Sequence, residues 1–197
     1  MLESSFSTAY TGTDAQTAPE DEWDELATAL NRWGVLHVGP GEPWRLEDTL
    51  TATELFSRLA RSGDPRLQQA TIVLLLTHPE LAADFRSAIE RLDGVVRERA
   101  KRRYVAAAAL QRMARTRIAQ HLGDQPLIPA AFLGDLALPT LDEDFGRETL
   151  LALSAQESDR FGYDAWGTYQ TLLDLFLNEI RRRDWGVVCD PAPIENA

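Results

Sequence analysis

Apolar residues in this chain recur at intervals of three and four, the spacing that lines one face of an α-helix, from Trp23 almost to the end. Trp23, Leu26, Ala27, Leu30 and Trp33 follow an acidic first turn and stop at Gly34, which predicts a short amphipathic helix. Leu55, Phe56 and Leu59 predict a second over Thr53–Ser62, with Gly63 as its stop. Asp64 as cap and Pro65 in the first turn open a third. Its residues Ile72 to Leu76 are all apolar, so burial nearly all round is expected. Pro79 starts a fourth, with Leu81, Ala82, Phe85, Ala88, Ile89 and Leu92 inward and Gly94 closing it. A long helix over Val95–Leu122 carries the stripe Val96, Ala100, Tyr104, Ala107, Leu110, Ala114, Ile118 and Leu122, a sector about 120° wide. Its run Ala106 to Ala109 predicts a close contact between helices, and Gly123 ends it. Asp142 begins an acidic turn into Leu150, Leu151 and Leu153. Asp164 caps the last helix, with Trp166, Tyr169, Leu173, Phe176, Leu177 and Ile180 inward, and Arg181 to Arg183 complement its C-terminal dipole. The expected fold is all-α, a single bundle of about seven helices.

The connections carry the rest of the architecture. Val35 to Val38, a Pro/Gly run from Gly39 to Pro43, and Trp44 to Leu46 read either as a small β-hairpin near residues 35–46 or as an extended loop. Residues 124–141 interleave Pro126, Pro129 and Pro139 with Leu127, Ile128, Phe132 and Leu133, and should cross the bundle as irregular structure or a short helix. Residues 1–19 have no apolar period and are expected to be disordered, 20–186 to form the helical domain, and 187–197 a flexible tail. A chain of 197 residues suits one domain with a substantial core. The tight helix pairs before residue 93 resemble HEAT-type hairpins, which implies stacked pairs in the first half.

Charge narrows the function classes. The net charge of -11 argues against a protein that coats nucleic acid over its whole surface, though not against one basic face. No stretch approaches the ~18 apolar residues of a membrane span. Met1 to Glu25 holds seven acids and no base, unlike a secretory signal, so a cytoplasmic location is expected. Cys189 is the only cysteine, which leaves no internal disulfide and no Cys-rich zinc site. Lys101 stands alone against 19 arginines, a ratio that reads mainly as the coding bias of a GC-rich genome.

The long helix departs from a generic fold. Between Arg97 and Arg117 it places eight of the chain's 20 basic residues, with Glu98 the only acid among them. Arg97, Lys101, Arg112 and Arg115 fall within about 60° of one another beside the apolar stripe. That face could contact an acidic protein, a second copy of the chain or, less readily, nucleic acid. The plainer reading is that these cations pair with the chain's own 31 acids while their stems cover the core. Tryptophans at 23, 33, 44, 166 and 185 are core anchors first and interface residues second.

Arg115 and His121, six apart near the end of the long helix, resemble the Arg-x4-6-His element of HEPN-type ribonucleases. The resemblance covers seven residues. It implies a small helical bundle, often dimeric, that cleaves RNA beside a nucleotidyltransferase partner in a toxin–antitoxin pair. His121 would then be the general acid/base and Arg115 the group stabilising phosphate charge. Helical geometry offers a different pairing: Arg117 and His121 are four apart and share a face, while Arg115 lies about 120° around the helix. In the structural reading His121 supports the negative C-terminal end of the helix. His37, His78 and His121 lie in separate segments without metal-ligand spacing, and no glycine loop cradles a phosphate, so neither metal nor cofactor is expected. Among the classes left, a non-enzymatic helical interaction or accessory protein is the leading expectation.

Overall fold

A computed structural model of the chain describes residues 20–39 and 50–184. It contains seven α-helices: α1 (Glu20–Arg32), α2 (Ala52–Arg61), α3 (Pro65–Thr77), α4 (Ala82–Glu90), α5 (Gly94–Leu122), α6 (Arg147–Phe161) and α7 (Ala165–Asp184). No strand occurs among the described residues, so the fold is an all-α bundle. Residues 35–39 of the expected hairpin form turns, while its remainder, the expected disordered N-terminus and the expected tail fall outside the described residues.

The helix boundaries follow local chemistry. Thr51 and Glu54 form a reciprocal capping box on α2, each side chain receiving the other's backbone N–H. Asp64 caps α3 by accepting the Arg66 N–H at 2.7 Å, with Pro65 next to it. Asp164 caps α7 through the Gly167 N–H at 2.9 Å. One expectation is reversed. Gly94 does not close α4; with φ +48° it opens α5, and α4 ends at Glu90. Glycine reads as a stop in sequence because it tolerates left-handed backbone, and here that tolerance turns a corner between two helices.

The partners of α5 explain why one stripe underestimates its burial. Each residue from Tyr104 to Gln111 is buried, not only those on the predicted face. α3, α6 and α7 pack on different sides of α5, and the turn Glu143–Gly146 presses on the Ala106–Ala109 run. A Cβ on Gly146, itself at φ +83°, would lie 3.1 Å from the Cα and carbonyl oxygen of Ala109. Small residues on both sides permit that approach. Rings continue the packing outward: Phe56 on Phe85 at 4.6 Å, Phe85 to Tyr104 at 5.9 Å, and Tyr104 to Phe132 at 5.3 Å between centroids. In the first half α2 packs chiefly on α4, and α3 on α5.

Residues 123–141 cross α5 as an irregular strap, held by polar side chains projecting from the helix. Gln111, 2% exposed, donates to the Pro126 carbonyl at 2.9 Å and accepts the Ile128 N–H at 2.7 Å. The Tyr104 hydroxyl donates to the Pro129 carbonyl at 3.0 Å, and Arg112 donates to the Ile128 carbonyl at 3.1 Å. A prolyl-rich segment has no ladder of its own, so its backbone groups depend on these partners. Gln111→Leu keeps the volume but orphans the buried Ile128 N–H and removes the partner of the part-buried Pro126 carbonyl, so urea unfolding should show a loss of about 1–3 kcal/mol. Gly146→Ala should cost about 1–3 kcal/mol by the same assay, through left-handed strain and contact with Ala109.

Candidate ligand clefts along the last helix

The four cations that the sequence groups on α5 are each engaged inside the protein. Arg97 donates to the carbonyls of Leu92 at 2.5 Å and Glu90 at 3.0 Å, with Asp93 at 3.8 Å. Lys101 pairs with Asp135 of the strap at 2.5 Å and lies over the Phe132 ring at 5.3 Å. Arg112 donates to the carbonyls of Ala108 and Ile128, and burial holds its guanidinium below the usual arginine range. Arg115 meets Asp124 at 3.3 Å. Three of the four therefore reach the strap. They share a sector of the helix that the strap crosses, although the Arg115 side chain stays 56% exposed.

On the opposite flank α5 meets α6 and α7 through a polar network. Arg102 and Arg160 both donate to Glu98, at 2.9 and 2.6 Å, and the Arg102 bond is the main reason the Glu98 carboxyl is lowered. Arg103 donates to Gln68 at 2.5 Å, and burial depresses it to about 10. The Tyr163 and Tyr169 hydroxyls donate to Glu157 at 3.1 and 2.8 Å. Burial, reinforced by the Glu157 charge, pushes Tyr163 up to about 12 and Tyr169 well above its ordinary value.

Two clefts flank the second half of α7. The first, about 230 Å3, is lined by Leu36, His37, Leu175, Asn178, Glu179 and Arg182. Glu179 accepts the Leu36 N–H at 2.5 Å and Arg183 at 3.4 Å through one oxygen. Its other oxygen lies 3.6 Å from His37 Nδ1, and neither that oxygen nor either imidazole nitrogen reaches a hydrogen-bond partner in the protein. The second cleft, about 290 Å3, lies between α5 and α7 and is lined by Arg117, Gln120, His121, Asp174, Leu177, Asn178 and Arg181. Asn178 borders both.

Arg115 and His121 are not brought together. Arg115 lines a slot with Gly123 and Asp124, whereas His121 shares its wall with Arg117. The four-residue spacing of Arg117 and His121 carried that signal. Arg181, Asn178 and Asp174 carried none, because only the packing of α7 against α5 sets them opposite. Among the described residues no three His, Cys, Asp or Glu gather as a metal-binding set, and no helix is long and apolar enough to cross a membrane. No protein-family model, curated protein or solved structure matches the chain.

The tyrosine network sets an alkaline limit. A raised folded-state value means that Tyr163 contributes fully below its ordinary value of 10.0 and loses the contribution as pH rises toward about 12. Tyrosinate absorbance should show that delay, and Glu157→Gln should move the Tyr163 transition toward lower pH; an unshifted transition contradicts the assigned cause.

Proposed function

We propose that the chain is a non-enzymatic helical interaction protein whose groove beside α7 seats an apolar, basic-flanked segment of a different protein. The observation that carries this reading is the gathering of exposed apolar side chains at one place. Tyr163 and Leu175, 44% and 46% exposed, line an open groove of about 540 Å3 with Leu172 beneath them and Thr168, Thr171 and Gln69 around them. Phe161, 51% exposed, stacks on Tyr163 at 6.3 Å, and Arg160 lies over Phe161 at 5.2 Å. Aromatic and arginine side chains with neighbouring aliphatic surface are the commonest contributors to binding energy between proteins.

Charge supports a different protein over a second copy. Each chain carries -11 and Asp164 lines the groove, so two copies repel, while a basic-flanked partner is steered in. What supports a protein over nucleic acid is the engagement of Arg97, Lys101, Arg112 and Arg115 within the chain, which leaves no run of open cations along α5.

Photo-crosslinking in the native host tests the reading, with the reactive group at Leu175 and, as a control, at the exposed Val95. One partner should be captured at Leu175 and not at Val95, and Leu175→Asp should weaken its binding by about tenfold or more. Equal capture at both sites, or sedimentation as a dimer that Leu175→Asp dissociates, would contradict it.

A further inference from the structure

The cleft between α5 and α7 contains two guanidinium groups that no carboxylate among the described residues neutralises. Arg117 and Arg181 line it, and neither makes an ion pair or hydrogen bond among the described residues. Several other cations are paired within the chain: Arg58 with Glu25, Lys101 with Asp135, Arg115 with Asp124, and Arg102 and Arg160 with Glu98. In a chain with 31 acids and 20 bases, two guanidiniums that line one cleft with a single carboxylate, Asp174, and no ion pair to it leave a net positive site that favours an incoming anion.

We propose that this cleft binds a small phosphate monoester, its anionic oxygens held by Arg117 and Arg181 and its attached hydroxyl or amino groups met by Asp174 and Asn178. Two planar forks arriving from separate helices suit a group with three acceptor oxygens and a charge of about -1.5 to -2 at neutral pH, whereas one fork satisfies a carboxylate. Asp174 faces the same cleft and reduces its positive charge, so a bare anion gains less than one that carries a donor for that carboxylate. The volume of about 290 Å3 suits a compact ligand. Along α5 a polyanion would meet cations already engaged by the strap and by backbone carbonyls. None of the residues lining this cleft lines the docking groove, so the two readings stand or fall separately.

Isothermal titration calorimetry of the full chain at low salt tests the inference, with inorganic phosphate, 5′-AMP and adenosine as probes. Phosphate and AMP should bind saturably, AMP more tightly, while adenosine should give no saturable heat. Arg117→Gln and Arg181→Gln, at exposed positions without partners among the described residues, should leave helicity unchanged and each weaken AMP binding by at least about tenfold. Asp174→Asn should strengthen inorganic phosphate and narrow the advantage of AMP over it. Absence of saturable heat with both phosphate probes would overturn the proposal, as would affinity that survives both arginine substitutions. A short single-stranded RNA that binds more tightly than AMP through the same two arginines would also overturn it, in favour of a polymer track.

Discussion

Burying a helix on all sides forces every polar group it carries to find a partner inside the protein. α5 is that helix: from Tyr104 to Gln111 no residue reaches solvent appreciably, and four of those eight are alanines that allow neighbouring backbones to close in. Tyr104 and Gln111 cannot leave their polar atoms bare without a cost of about 1–3 kcal/mol each. The strap has the complementary problem, since Pro126, Ile128 and Pro129 expose backbone groups with no helix or sheet to satisfy them. Each satisfies the other. The other helices pack around this joined core, and one cleft beside α7 is left between it and the C-terminal end of α5.

The helices were legible because their signals are local. Capping at Thr51, Asp64 and Asp164 and the stop at Gly123 depend on residues a few positions apart, and the structure keeps all of them. Gly94 misled because glycine marks left-handed backbone without stating which side of it the helix lies on. The breadth of burial on α5 was not legible either. A stripe counts apolar residues, but alanine and a bonded glutamine are as buried as leucine when enough neighbours surround them.

The site was legible only in part, for the same reason. Helical spacing grouped Arg97, Lys101, Arg112 and Arg115 on one face, and it also paired Arg117 with His121. It could not state that the strap, nine to 34 residues downstream of its partners, crosses that face and supplies Asp124 and Asp135 to it. Nor could it place Arg181, which read as a complement to the dipole of α7, opposite Arg117. Charges on one helix are counted from sequence. Whether they are spent inside the protein or left for a partner is decided by what packs on them.

Native-state hydrogen exchange of the backbone amides tests the dependence of the fold on α5 and its strap most directly. The account predicts that the amides of residues 104–111 exchange slowest in the protein, and that the Ile128 N–H, although in irregular backbone, is protected with them and loses that protection in Gln111→Leu. An Ile128 amide that exchanges as fast as an exposed loop, while α5 stays protected, would contradict it.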